Sequence, residues 1–413
     1  AVTFGDVATG LTPGVVSAGN SLVGAATGDV VGSSRIIDTG FGFALLRSDN
    51  GGAGAITVID VASPLTGTVS ASNSLVGGSP SDAIGSGGFD PIGGTVYAIS
   101  SPTWATPSGK TNAGAVTLFD ALTGNFNGTL NPLKGTLDVT NSLVGTETGD
   151  QVGSGGVRFA YSSSSDSIFV VQSPSWDNTP SVPDAGAMTW FTLGNALSGQ
   201  ISSGNSLLGS AVGDALGIGN TSVSGLGFSA SGVYQLFGSN NNSALLYVPT
   251  ANSSGGAIVH LDGGAAPVTG QLSITTAVLG GTANDNIGNG GIFDTGQGKL
   301  LVLSPDVDVF SSADAGAVTL IDINSGAVGF VDSISLVGDQ TGDRIGSRAP
   351  NQLDNGTFLL RAPDWHNNTG AVTFLDVASG HWLNDADFIG SVGTSNSLTG
   401  VNPGDNVGAN GAL

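Results

Sequence analysis

Seven aspartates at regular spacing are the residues of this 413-residue chain with the clearest capacity for chemistry. Each stands in a variant of the phrase Gly-Asp-x-Val-Gly-Ser, with a glycine three residues later; they are Asp29, Asp82, Asp150, Asp214, Asp285, Asp343 and Asp405. Gathered on one face of a fold, these carboxylates would form a ring that attracts cations. An aspartate can instead cap a turn by accepting backbone N–H bonds, which explains both the repetition and the trailing glycine. We therefore favour turn caps over a ring of ligands.

A second group of carboxylates is the best candidate for a metal site. Asp306, Asp308 and Asp314 lie close together in the segment SPDVDVFSSADAG, and Asp385 and Asp387 form a weaker pair. Calcium prefers clustered oxygen ligands, although no EF-hand spacing is present here. We expect any bound calcium to lie in the Asp306–Asp314 loop, and we expect no other cofactor.

No arrangement of residues typical of the common enzyme mechanisms stands out from the repeats. The three histidines, His260, His366 and His381, are not spaced as metal ligands, and the chain has no cysteine. Disulfides and thiolate metal sites are thereby excluded, and the histidine spacing disfavours a zinc site. No Gly-x-Ser-x-Gly motif stands between a strand and a helix, where a nucleophile elbow would require it. The sequence therefore predicts a protein that is not an enzyme.

Three tryptophans share one position in the repeats, in the phrase Pro-x-Trp. Trp104, Trp176 and Trp365 each follow a strand-like run that ends in proline. Exposed, these rings would stack on sugars or on proteins; buried, they would anchor a rigid turn. We favour packing, and binding stays the alternative.

The balance of charges excludes several classes of partner. The chain has 9 Lys and Arg against 31 Asp and Glu, which gives a net charge of −22. Nucleic acids and anionic membranes both require basic patches. No apolar run approaches the 18 residues of a membrane span. A surface rich in Ser, Thr, Asn and Asp indicates a secreted protein, extracellular or on the cell surface.

Tandem repeats must position these residues. A Gly-Ala-Val-Thr phrase recurs about every 62 residues, which is a period typical of repeat architectures. Its alanines are Ala1, Ala55, Ala115, Ala187, Ala257, Ala317 and Ala371. An Asn-Ser-Leu-Val-Gly phrase follows each one, and a β-rich run such as FALLRS precedes all but the first. Short runs separated by glycine-rich turns predict four antiparallel strands in each unit.

Four strands at this period are typical of a propeller blade. We predict an all-β fold: one domain over residues 1–413, a seven-bladed β-propeller of four-stranded antiparallel blades whose termini share one blade. We expect the Val-Gly-Ser-Gly strand to lie innermost, because only small residues fit near the axis. The rival is an open stack or a β-solenoid, although solenoid coils usually have shorter repeats.

The repeat phrases resemble two known families. The order Gly-Asp-x-Val-Gly-Ser, Ser-Pro-x-Trp, Gly-Ala-Val-Thr and Ser-Asn-Ser-Leu-Val-Gly resembles repeats of large secreted bacterial adhesins of the filamentous-haemagglutinin type. That resemblance implies a surface location and an adhesive or scaffolding role. The order of strands is similar to that of FG-GAP repeats in integrin α-chain propellers. Those blades carry a calcium loop with several Asp or Asn residues, where this chain keeps one aspartate, at Asp38, Asp90, Asp294 and Asp354.

Three functions are compatible with these patterns. The leading hypothesis is a structural or adhesive surface module, with other copies of itself, flanking repeats, or surface glycans and proteins as partners. The alternatives are a lectin-like propeller that binds carbohydrate or protein, and a propeller enzyme, which the composition of the longest segments disfavours. The chain begins inside a strand-like run, so we expect a piece of a longer protein. The predicted seventh blade lacks its second strand, which either further chain beyond one end or an extended segment from another molecule would supply.

Overall fold

The computed structural model describes residues 1–6, 10, 11, 14–32, 36–63, 65–162, 166–217, 232–235, 243–354, 356–382 and 389–410. The fold is all-β, as predicted. Helical segments within these residues are the single turns Ala251–Ser254 and Trp365–Asn368 and the 3-10 turn Val331–Ser333. None of the described helices is long and apolar enough to cross a membrane. Two compact units make up the chain: Ala1–Phe159 with Ile168–Pro180 and Gly186–Ser206, and Ala160–Ser167 with Ser181–Ala185 and Leu207–Leu413.

Three strands recur in six repeats among the described residues, and their β-branched and aromatic residues favour extended backbone. The first strands follow the repeat aspartates: Ile37–Asp38, Gly88–Gly93, Gly156–Ser162, Gly232–Gln235, Gly291–Asp294 and Asn351–Gln352. The second strands are Phe43–Ser48, Val96–Ser101, Ser167–Ser173, Ala244–Val248, Lys299–Ser304 and Thr357–Ala362. The third strands are Ala55–Asp60, Ala115–Asp120, Ala187–Thr192, Ala257–Leu261, Ala317–Asp322 and Ala371–Asp376.

The predicted fourth strand is divided in two, because a turn before the Ser-Leu-Val run reverses the chain. Its first half is a two-residue strand that begins with glycine, here named the donor strand: Gly67–Thr68, Gly135–Thr136, Gly199–Gln200, Gly270–Gln271, Gly329–Phe330 and Gly390–Ser391. Its second half contains the Leu-Val pair and is named the acceptor strand: Leu22–Val23, Ser74–Val76, Leu143–Val144, Ser206–Leu208, Val278–Leu279, Leu336–Val337 and Ser397–Thr399.

The two halves join different sheets. The acceptor strand pairs antiparallel with the third strand of its own repeat, as Val116 with Leu143. The donor strand pairs in parallel with the acceptor strand of the preceding repeat, as Gly135 with Leu75. Four sheets that lie within one unit therefore run in the order first, second, third, acceptor, and then the donor strand of the next repeat, whereas the sheet of the last repeat has no donor strand among the described residues.

Within the second unit consecutive sheets stack face to face, and side chains alternate between the two faces of a strand. On the strand Lys299–Ser304, Leu301 and Leu303 belong to a core shared with the next sheet, including Phe358. Leu300 and Val302 belong to a core shared with the preceding sheet, including Leu245. The central strands are thus buried on both faces, which explains their continuous apolar runs.

A few shorter pairs complete the described strands. Gly5–Asp6 pairs with Gly10–Leu11, Asn125–Phe126 pairs with the strand Ala115–Asp120, and His381–Trp382 pairs with Ala371–Asp376. Near the ends, Val2 bridges to Leu22 and Val407 bridges to Gly370. The predicted ring of seven blades, with termini in one blade, stays a prediction.

Candidate functional site

The parallel contact between consecutive repeats is the most regular feature of the molecule, and we name it the interlock. The donor glycine donates its N–H to the carbonyl that precedes the Leu-Val pair, as Gly67 to Ser21 at 3.1 Å. The residue two positions later donates to the carbonyl at the end of the pair, as Val69 to Val23 at 2.9 Å. Six interlocks are present among the described residues. Each joins two repeats by backbone hydrogen bonds, which do not depend on side-chain identity.

The asparagine of the Asn-Ser-Leu-Val-Gly phrase holds the turn between the donor and acceptor strands. Asn141 Oδ1 accepts the N–H of Asp138 at 3.0 Å, and its Nδ2 donates to the carbonyl of Thr136 at 2.9 Å. The same two bonds recur at Asn20, Asn73, Asn205 and Asn396. Asparagine suits this position because one amide supplies both an acceptor and a donor.

A buried hydroxyl pair fastens the acceptor strand to the third strand. Thr117 Oγ1 lies 2.6 Å from Ser142 Oγ, and both side chains are buried. Equivalent pairs are Thr3–Ser21, Thr57–Ser74, Thr189–Ser206, Thr319–Ser335 and Thr373–Ser397. One repeat replaces both partners at once, with Val259 and Ala277, which are also buried. The joint replacement avoids an unpaired hydroxyl in the core.

The repeat aspartates cap the turn that follows each acceptor strand. One Asp150 oxygen accepts the N–H groups of Thr146 and Glu147 at 2.7 and 2.9 Å. The other oxygen accepts the N–H of Asp177, from the loop after the second strand of the next repeat, at 3.1 Å. Equivalent turn bonds recur at Asp29, Asp82, Asp214, Asp285, Asp343 and Asp405. The carboxylates thus accept backbone N–H groups, as turn caps do.

The surroundings of two equivalent aspartates shift their pKa values in opposite directions. Burial raises the pKa of Asp150, and this outweighs the hydrogen bonds from Glu147 and Thr146 that lower it. Asp405 is exposed, and the N–H groups of Asn402 and Val401 lower its pKa. The same turn geometry therefore accompanies a raised pKa where the turn is buried and a lowered pKa where the turn is exposed.

The predicted calcium ligands make separate contacts. One oxygen of Asp306 pairs with Nη2 of Arg344 at 2.9 Å, and the other accepts a bond from Asn289. Asp308 accepts the backbone N–H of Asp314 at 3.0 Å. The structure does not bring the three carboxylates to one point, and calcium in this loop stays a prediction. Asp385 and Asp387 lie outside the described residues.

A different trio brings its ligand atoms close together. Asp339, Asp343 and His366 form the one such group among the described residues, with ligand atoms within 4.8 Å of one another. His366 Nε2 lies 2.6 Å from a carboxylate oxygen of Asp339, and the His366 N–H donates to Asp343 at 2.7 Å. The sequence did not indicate this trio, because its members come from two loops far apart in the chain. Each member already has a hydrogen-bond partner within the trio.

The repeated tryptophans are buried, as the packing interpretation predicts. Trp104, Trp176 and Trp365 all lie in the core. Trp365 stacks on the ring of His366, with ring centres 3.6 Å apart. Each ring, placed directly after a Pro-x dipeptide, therefore anchors the loop that contacts the turn capped by a repeat aspartate.

An open groove of about 380 Å³ lies in the first unit, beside the strand Asn125–Phe126. Polar side chains contribute much of its lining, among them Asn127, Asn131, Lys134 and Asn141. Asn127 Nδ2 also donates to the carbonyl of Asn195 at 2.8 Å, which holds one wall in place. The groove is a concave surface that could hold a small polar ligand.

Comparison with known families identifies the repeats. The family model described as "Repeat of unknown function (DUF5650)" matches residues 1–33, 48–86, 93–154, 164–218, 295–347 and 352–409. These matches cover well over half of the chain. The chain belongs to this repeat family. Each DUF5650 match contains one acceptor strand and one repeat aspartate. The interlock and the capped turn are therefore parts of the family's repeat.

The other comparisons add little. No curated protein matches the chain. The hydrazine synthase of Kuenenia stuttgartiensis is similar over 86% of this chain and 79% of its own, at 11% identity and a TM-score of 0.24. A likeness of this size carries no argument about the fold or the function of the DUF5650 repeats.

Proposed function

We propose that this chain is a non-catalytic structural or adhesive module of an extracellular or cell-surface protein. The observation that carries the proposal is the interlock, which ties each repeat to the next by backbone hydrogen bonds. The repeated polar residues serve this connection: asparagines hold the turns, hydroxyl pairs fasten the strands, and aspartates cap the loops. Repeats of this kind add length and stiffness without adding a reaction centre.

Two features support a location outside the cell. The net charge of −22 and the absence of cysteine suit a protein that stays soluble without depending on redox conditions. One of the phrases that resemble secreted adhesin repeats, Ser-Asn-Ser-Leu-Val-Gly, contains the acceptor strand of the interlock. We propose other copies of the chain or flanking repeats as its structural partners, and surface glycans or proteins as further ones.

Within the all-β fold, we propose that the repeats form a seven-bladed propeller. Stacked sheets with both faces buried are the arrangement that propeller blades require. A ring would join the first and last repeats within one chain, whereas an open stack would leave both ends available. Small-angle X-ray scattering of the monomer distinguishes these shapes by their maximum dimension.

Protease shaving of intact source cells tests the proposed location. An antibody against the 413-residue chain should detect a protein that added protease removes, while a cytoplasmic marker stays intact. A signal found only after lysis would contradict the surface role. Turnover of a polysaccharide that a single carboxylate substitution abolishes would contradict the absence of catalysis.

The groove beside Asn125–Phe126 supports a second candidate function, carbohydrate binding. The amide of Asn131 can donate and accept hydrogen bonds with sugar hydroxyls. A glycan array with the wild-type chain and Asn131→Ala tests this candidate. Binding that Asn131→Ala removes would support it, and an array without signal would set it aside.

A further inference from the structure

The first repeat carries a donor segment that resembles those of the interlocks. Gly14 precedes Asn20 by the same distance as Gly67 precedes Asn73. Asn20 holds the segment with the usual two bonds, to the N–H of Ser17 at 2.9 Å and to the carbonyl of Val15 at 3.1 Å. The segment therefore has the asparagine-held turn that follows the donor strands of the interlocks.

The apolar anchor of this donor segment is exposed. Val16 occupies the position that is buried in every formed interlock, with exposures of 1–4% at Val69, Leu137, Ile201, Leu272, Val331 and Val392. Val16 itself is 55% exposed, and Val15 beside it is 88% exposed. An exposed valine at the position that every formed interlock buries leaves this segment with an apolar side chain and unpaired backbone suited to pairing.

The last repeat carries the matching acceptor strand. Ser397–Thr399 pairs with the third strand Ala371–Asp376, and its Thr373–Ser397 hydroxyl pair is formed at 2.6 Å. The acceptor leucine position is at most 1% exposed in the six interlocks, at Leu22, Leu75, Leu143, Leu207, Val278 and Leu336. Its equivalent here, Leu398, is 66% exposed.

We propose that Gly14–Val16 of one chain forms an interlock with Ser397–Thr399 of a second copy. By the register of the other interlocks, the N–H of Gly14 would donate to the Ser397 carbonyl and the N–H of Val16 to the Thr399 carbonyl. Val16 and Leu398 would then both become buried. The inference rests on the proposed structural function, because it extends the connection between repeats to a connection between chains.

A second copy fits both exposed edges for a geometric reason. The contact is head to tail, so the assembly as a whole always keeps one donor segment and one acceptor strand free, at opposite ends. Such contacts produce linear assemblies unless a ring closes. The chains share a net charge of −22 and repel one another, so salt should strengthen the association.

Analytical ultracentrifugation of the 413-residue chain tests the proposal, up to about 100 µM. The wild type should form dimers and longer species, more so at high salt. Val16→Asp and Leu398→Asp should each weaken association about 10- to 100-fold, because each places a charge where an apolar side chain is buried. The matched control is Leu130→Asp, at a residue that is 93% exposed and distant in sequence from both edges.

Mixing the two variants gives the most specific result. The Val16→Asp chain keeps its acceptor strand, and the Leu398→Asp chain keeps its donor segment. An equal mixture should form dimers that neither variant forms alone, and these dimers should not grow further. Association that Leu130→Asp reduces equally, or a mixture that stays monomeric, would overturn the proposal.

Closure within one chain is the competing outcome. A wild type that stays monomeric and melts at a higher temperature than Val16→Asp and Leu398→Asp would show that the two edges pair in one molecule. A monomer whose melting temperature neither variant changes would show that the edges do not pair. Both results overturn the second copy as partner but leave the proposed surface role standing, because protease shaving tests that role separately.

Discussion

Each hydroxyl pair is a small contact, but it lies in the core, where losing one partner destabilises the protein. Ser142 Oγ lies 2.6 Å from Thr117 Oγ1 and also donates to Asn141 Oδ1 at 3.0 Å. Removing one partner leaves a buried polar group without its bond, whereas removing both leaves an apolar contact. In the repeat that carries Val259 and Ala277, both hydroxyl partners are replaced by apolar residues.

Substitutions at Thr117 and Ser142 should therefore be strongly non-additive. We expect Ser142→Ala alone to lower the free energy of unfolding by about 1–3 kcal/mol, because the Thr117 hydroxyl loses its partner. Adding Thr117→Val should cost less than the sum of the single effects. A double-mutant cycle by urea denaturation measures the coupling. Strict additivity would show that the pair does not contribute as a unit.

The two shifted aspartates should respond to pH with opposite signs. The pKa of Asp150 is raised, so the folded state holds its proton more tightly than the unfolded state, and its contribution to stability falls as pH rises through that pKa. The pKa of Asp405 is lowered, so its contribution is lost as pH falls through that pKa.

Melting temperatures of Asp150→Asn and Asp405→Asn, measured from about pH 3 to about pH 7, check this expectation. The melting temperature of Asp150→Asn should approach that of the wild type as pH rises. The melting temperature of Asp405→Asn should fall further below that of the wild type over the same range. Differences from the wild type that change in the same direction would contradict the opposite shifts.

At the scale of elements, the sheets are held together by close backbone approaches. Gly114 has a φ of +77° and forms a parallel bridge with Val152. A Cβ at Gly114 would lie 2.2 Å from the Val152 backbone nitrogen. The equivalent glycines Gly54, Gly316 and Gly370 meet the nitrogens of Ile84, Ile345 and Val407 in the same way. Glycine is thus required at the start of the third strand for two reasons, its φ and the space.

Comparing Gly114→Ala with Gly109→Ala separates these two reasons. Gly109 also has a positive φ, +91°, but a Cβ there would meet no atom within 4 Å. Both variants should lose about 1 kcal/mol from backbone strain, and Gly114→Ala should lose clearly more, because two backbones must move apart. Equal losses of unfolding free energy in the two variants, measured by thermal or urea unfolding, would show that the backbones at Gly114 and Val152 are not in tight contact.

At the scale of the whole molecule, charge opposes the compact state. Thirty-one acidic residues stand against nine basic ones, and ion pairs such as Lys110–Glu147 and Asp306–Arg344 neutralise few of them. Like charges spread over one surface repel, and salt screens that repulsion.

The melting temperature should therefore rise by several degrees when sodium chloride is added to a low-salt buffer. Most of the rise should be complete near about 0.15 M, where the screening length is about 8 Å. Sucrose at matched osmolality serves as the control for solute exclusion. A melting temperature that salt does not change would show that the acidic groups are too far apart to interact.

The sequence alone determined the fold class and the repeat. Alternating apolar runs, glycine-rich turns and the seven recurring aspartates predicted an all-β repeat protein, because strand and turn preferences are local properties of the chain. The sequence also favoured burial of the repeated tryptophans, because each follows a Pro-x dipeptide; they are Trp104, Trp176 and Trp365.

Only the tertiary structure decided which strands pair. The predicted fourth strand is divided at residues such as Asn141, and its halves join different repeats. Strand pairing depends on residues distant in sequence, and parallel pairing leaves no signal in a single short run. For the same reason the Thr117–Ser142 pair and the trio of Asp339, Asp343 and His366 were not predicted. The partners of a side chain are set by how the sheets stack, and one repeat does not contain that information.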